Sequence, residues 1–132
     1  MITTAPTNSF REELFNGIHR PEHVYKLALY TSAADLDEHT RGYETKGEVA
    51  DDGYPKGGIV LTGRKVGVAE GHSYLQFSDA RFPKSSISSD GSMIYNDSVD
   101  GKPALAVYGY PRTAGVNSEY VVELPPQLIQ MV

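Results

Sequence analysis

The run at residues 24–31, Val-Tyr-Lys-Leu-Ala-Leu-Tyr-Thr, constrains this chain more than any other stretch. It is long, carries one charge and contains no turn-forming residue, which makes it a β-strand. Successive side chains on a strand point to opposite faces. Tyr25, Leu27, Leu29 and Thr31 therefore share one face, and Lys26, Ala28 and Tyr30 share the other. The first face is apolar enough for a core. The second is mixed and suits a helix, a partner or water.

The remaining segments extend this β pattern. Residues 1–8 read as an extended arm, since Pro6 and three threonines resist helix. Ser9 and Glu12 have capping-box spacing, and Phe10, Leu14 and Ile18 follow at helical intervals with Phe15 beside them. A short helix is expected there, ending near His19 or Arg20 ahead of Pro21. Residues 32–45 read as a long polar loop, and 43–49 as a short strand. Further strands are expected at 59–62, 65–69, 74–77, 92–95, 103–110 and 118–124. Turn chemistry separates them, including Asp100-Gly101. Residues 79–82 extend the 74–77 strand past a kink, 83–89 bend the chain, and 111–117 form a loop. The apolar tail at 127–132 is expected to dock on the sheet or on a neighbouring subunit. Strands joined by short turns, with little helix, predict a mainly β fold. We expect an antiparallel β-sandwich or barrel-like domain with a short N-terminal α-helix.

At 132 residues the chain is expected to form a single domain, 1–132, with enough core to need no staple. It has no cysteine, hence no disulfide framework and no thiolate site. Seventeen acidic and twelve basic residues give a net charge of −5, which argues against broad nucleic-acid binding. No apolar run approaches the roughly 20 residues that span a bilayer, so no membrane partner is expected. The first residues lack a basic start and an apolar signal core, which points to synthesis in the cytoplasm. Nine tyrosines against four phenylalanines and no tryptophan suit half-buried strands and contact surfaces.

Chemical motifs are sparse. His19 and His23 have the spacing of a helical metal pair, but Pro21 between them prevents one helix from carrying both. Asp35, Asp37 and Glu38 resemble a fragment of a calcium loop without its glycine and distal glutamate. A solvated acidic loop is the expectation. The nucleophile-elbow, zincin and P-loop patterns are missing. The expectation is therefore no catalytic residue, no metal, no cofactor and no enzyme activity.

Several segments together resemble a family of small virion proteins of tailed bacteriophages. Its F-x-x-E-L-x-x-G-I-H helix matches residues 10–19, and its K-L-A-L-Y-T-S-A strand matches 26–33. A G-Y-x-x-G-G segment matches 53–58, an I-Y-N-D/S segment 94–97, and a strand of small and branched residues 104–108. The chain departs from the pattern in its charged stretch at 35–41 and its longer apolar tail. The resemblance implies a structural role in the virion, most simply a capsid decoration or cement protein. Its implied partners are the major capsid protein or other virion proteins, and copies of itself in a homo-oligomer. A tail, baseplate or fibre-attachment component is the alternative. A carbohydrate-binding module, which the missing tryptophan disfavours, and a small hydrolase stand further off. Candidate contact residues are Tyr30, Arg41, Tyr43 and Tyr54 as exposed anchors, with Leu128 and Ile129 in the apolar tail. The ends, 1–8 and 127–132, are expected to order onto neighbours.

Overall fold

The computed structural model of the chain describes residues 1–116, 118–124 and 129–131. It is mainly β, with antiparallel sheets, one short helix and a sandwich-like arrangement; no barrel closes. The strands are β1 (Ala5–Pro6), β2 (Tyr25–Tyr30), β3 (Ile59–Val60), β4 (Lys65–Ala69), β5 (His72–Gln76), β6 (Ala80–Ser85), β7 (Ser88–Asn96), β8 (Ala104–Ala114), β9 (Ser118–Val122) and β10 (Ile129–Met131). The helix α1 spans Asn8–Phe15. The sheet orders are β1-β8-β7-β2-β3, β10-β5-β4 and β6-β9.

The strand β2 lies inside the five-stranded sheet, paired with β7 from Tyr25↔Asn96 to Tyr30↔Gly91. Both of its faces are buried. Tyr25, Leu27 and Leu29 enter the larger core with Ile94, Leu105 and the smaller sheets' Leu75, Phe82, Tyr120 and Ile129. Ala28 and Tyr30 enter a second core with Met93, Tyr95 and Val107. Ala34, Leu36, Ile2 and Tyr43, from the arm and the loop after β2, cover this second core. The mixed face thus meets neither helix nor water but irregular chain.

The arm at 1–8 is extended, as expected, but it is held by the domain itself. Pro6 and Ala5 pair with Ala106 and Val107 on β8. Thr3 N donates to Leu36 O, and Leu36 N donates to Met1 O. Ile2 crosses the Gly91↔Gly109 pair so closely that a Cβ on Gly91 would lie 2.5 Å from its Cδ1 and one on Gly109 2.3 Å from its carbonyl oxygen. At the other end β10 pairs with β5, Ile129 against Leu75. Residues 1–8, expected to order onto neighbours, are thus already held within the domain. In the tail, Gln127, Leu128 and Val132 lie outside the described residues.

The helix differs from its expected form at both ends. Thr7, not Ser9, is its N-cap: Thr7 Oγ1 accepts from Phe10 N and donates to Ala104 O on β8. A tertiary contact thus decides between two capping residues. Gly17 N donates to Leu14 O and Ile18 N to Glu13 O, the Schellman pair that closes a helix. Eight residues are too few for a three-position apolar stripe. Phe10 is buried, while Leu14 is 41 % and Phe15 95 % exposed.

Strand bounds shift where proline was read as a stop. Among the described residues the outer side of β8 beyond Tyr108 has no partner strand, because β1 pairs with Ala106 and Val107. The missing N–H of Pro111 costs no ladder bond there, and β8 runs on to Ala114 through the expected loop. An irregularity between Phe82 and Ser85 likewise takes Pro83 and Lys84 into β6. Residues 43–49 form bridges and turns rather than a strand, and β3 is only two residues long.

Candidate functional site

Tyrosines converge on one carboxylate beside β2. Glu48 Oε1 accepts from Tyr43 OH at 2.6 Å, and Oε2 accepts from Tyr54 OH at 2.5 Å and from Gly57 N at 2.8 Å. Tyr54 OH in turn accepts from Leu29 N at 3.1 Å, and Val49 N donates to Leu29 O at 2.9 Å. Tyr54 and Val49 thereby supply the pairing that β3 is too short to give β2. Tyr95 OH donates to Gly57 O at 2.6 Å, and Tyr30 OH to Glu44 O at 2.6 Å. Tyr43 stacks on Tyr95 with centroids 4.8 Å apart, and Lys102 Nζ stands 5.6 Å from the Tyr43 ring centre. Burial, then the bond to anionic Glu48, push the Tyr54 and Tyr43 hydroxyls well above the ordinary tyrosine range. Gly58 passes so close to β2 that a Cβ would lie 1.8 Å from Leu27 O. Three donors on a single carboxylate make this an acceptor hub that ties the loop after β2 to the sheet.

The hub gathers three of the five resemblance segments. Leu29 and Tyr30 come from 26–33, Tyr54, Gly57 and Gly58 from 53–58, and Tyr95 from 94–97. What these segments encode is the joint between β2, β7 and their covering loop.

A second polar cluster joins α1 to β7. His19 is 3 % exposed in its side chain, and its Nε2 lies 2.9 Å from Glu13 Oε1. Asn96 Nδ2 lies 3.1 Å from His19 Nδ1 and 2.9 Å from His23 Nδ1. Asn96 Oδ1 accepts from Ser98 N, which fixes the amide's orientation. An amide nitrogen only donates, so both Nδ1 atoms accept and each ring carries its proton on Nε2. His19 then donates to Glu13. The two histidines do meet, on Asn96, with their Nδ1 lone pairs already engaged. Among the described residues no three ligating side chains form a metal group. In the acidic loop, Asp35 is held below the usual carboxylate range by the Met1 ammonium and by Lys46, and Asp37 Oδ1 accepts from His39 N.

The expected anchors separate by burial. Tyr30 is fully buried and Tyr54 is buried, because Glu44 O and Glu48 satisfy their hydroxyls inside the fold; neither is an exposed anchor. Ile129 is buried at 2 % in the larger core, so it grips this domain rather than a neighbour. Leu128 lies outside the described residues. Tyr43 is half-buried on its Tyr95 stack. Arg41 is exposed, on the ridge between two open grooves of about 440 Å³ each. One groove runs along the acidic loop past Asp37 and Glu44. The other runs between α1, at Glu12 and Asn16, and the β7–β8 turn at Asp100.

The exposed aromatic that sequence reasoning missed is Phe15. It sits at the end of the helix whose Glu12 and Glu13 line the second groove, without lining that groove itself. The available signal was Gly17, which ends the helix before Phe15 reaches a core. No protein-family model matches the chain, and no curated protein or solved structure matches it either.

Proposed function

We propose that this chain is a non-enzymatic structural protein of a tailed phage particle, a decoration or cement protein that docks on the capsid shell. The observation that carries the docking part is Phe15, 95 % exposed next to half-exposed Leu14 on the helix whose Glu12 and Glu13 line the Arg41 groove. A phenylalanine standing in water is an anchor in search of a pocket, and arginine is its usual companion at contact hot spots. The virion assignment rests on the resemblance, and the hub gives that resemblance a physical content. Three of its segments build the joint of the domain, while the helix segment at 10–19 carries Phe15 and lines one groove beside Arg41. The partners are then the major capsid protein or other virion proteins.

The test uses particles of a phage that encodes this chain, separated into heads and tails and read by mass spectrometry. The chain is expected with the heads. Recovery in tails alone replaces the capsid assignment with a tail or baseplate one, and absence from both fractions removes the virion role. Purified F15S/R41E protein should retain its far-ultraviolet circular dichroism and lose at least tenfold in co-sedimentation with heads that lack the native chain. Undiminished binding would refute the surface.

A further inference from the structure

The strand β4 is an edge strand whose composition invites a second copy. Among the described residues only β5 pairs with it. The β4–β5 hairpin turns on Glu70-Gly71, both at positive φ (51° and 81°), a two-residue type I′ turn. Such a turn makes the closing pair, Ala69↔His72, hydrogen-bonded, and the pattern alternates from there. Ala69, Gly67 and Lys65 therefore direct their backbone groups at β5. Val66 and Val68 direct their N–H and C=O outward, away from it. Their side chains are 56 % and 76 % exposed. No proline or bulge interrupts the strand, and the devices that usually blunt an edge are limited to Lys65 at its start.

We propose that β4 pairs antiparallel with β4 of a second copy across a two-fold axis at Gly67. In that register Val66 of each copy faces Val68 of the other as a hydrogen-bonded pair. Four hydrogen bonds then satisfy the outward N–H and C=O groups of both residues in both copies. The same register brings the exposed Lys65 of each strand to the end where the other copy's exposed Glu70 turns its hairpin, while Arg64 is engaged with its own Tyr25 ring 5.9 Å away. This charge complementarity singles out a copy of the same chain as the occupant. A parallel pairing would set like ends together, and the net charge of −5 per chain otherwise opposes self-association. The two three-stranded sheets become one continuous six-stranded sheet. The pairing gives a specific interface to the homo-oligomer that the resemblance implies, yet it needs no phage partner. Its failure would leave the capsid assignment standing, and loss of that assignment would leave the pairing standing.

The chain has no cysteine, which gives a clean test. In a hydrogen-bonded antiparallel pair the Cα atoms are about 5.5 Å apart, within the range of roughly 4.4–6.8 Å that a disulfide spans. V66C and V68C proteins, mixed and gently oxidised, should yield at least five times more cross-linked dimer than either alone. Sedimentation of the wild-type chain should show a concentration-dependent dimer, and V68K, altered at an exposed position, should stay monomeric with an unchanged fold. Equal cross-linking in the mixed and single samples would overturn the register. A wild-type chain that stays monomeric to millimolar concentration would overturn the interface.

Discussion

Replacing Tyr54 by Phe removes one oxygen and almost nothing else, because the ring stays packed 5.8 Å from Phe82 in the larger core. That oxygen serves two partners: it donates to Glu48 Oε2 and accepts from Leu29 N. Hydrogen bonds to charged groups contribute about 1.5–3 kcal/mol, and a buried donor left without an acceptor costs about 1–3 kcal/mol. Glu48 keeps Tyr43 and Gly57 as donors, so the first loss falls at the low end. Leu29 N is buried within β2, so the second is felt in full. Together Y54F should cost about 3 kcal/mol. For a chain of this size that lowers Tm by about 10 °C, using roughly 2.1 cal/mol/K per residue for the unfolding entropy. Urea unfolding should show the loss as a lower midpoint at unchanged slope. E48Q should cost less than Y54F, since an amide oxygen can still accept from Tyr54 and Gly57 while its NH2 faces the Tyr43 hydroxyl. The two changes should be sub-additive, because they share one bond. A Y54F cost under about 0.5 kcal/mol, within the range of an ordinary surface substitution, would refute the hub as the clamp on β2.

Other outcomes follow from the same geometry. G58A should destabilise by more than about 4 kcal/mol and appear as lost soluble yield, since its Cβ meets the β2 backbone at 1.8 Å. G57A, whose Cβ reaches only the Tyr95 hydroxyl at 3.3 Å, should cost about 1–3 kcal/mol of backbone strain and still fold. Burial raises the pKa of Tyr25, Tyr30, Tyr43, Tyr54, Tyr95, Tyr108 and Tyr110, so that each resists ionisation. A raised folded value gives stability that is whole below the ordinary value of about 10 and drains away as pH climbs above it. Tyrosinate absorbance should therefore rise in step with loss of circular dichroism in alkali. Gradual ionisation of all the tyrosines in an intact fold would contradict their burial.

The sequence showed β2 and β7 as strands and Asp100-Gly101 as a turn, because each rests on local composition or turn chemistry. It did not show what covers Ala28 and Tyr30. The covering residues Ile2, Ala34, Leu36 and Tyr43 follow no period, and their meeting depends on Gly91 and Gly109 letting Ile2 through. Tyr30 and Tyr54 looked like contact residues since composition cannot distinguish a hydroxyl bound for water from one with an internal acceptor. Pro111 looked like a stop because a strand's free side is a property of the sheet rather than of the segment. Arg41 survived as an exposed candidate, while Phe15 was hidden by a stripe that Gly17 cut short.

The pairing of β2 with β7 also dictates how this molecule is born. Tyr25 leaves the ribosome long before Asn96, its partner, and Ala5 must wait for Val107. At the usual rate of about 5–20 residues per second, the apolar ribbon of β2 spends several seconds with neither wall of its sheet in existence. Nascent chains of this protein are therefore clients for whatever shields greasy segments during translation, and a codon change that slows synthesis between β2 and β7 prolongs that exposure without altering a single residue.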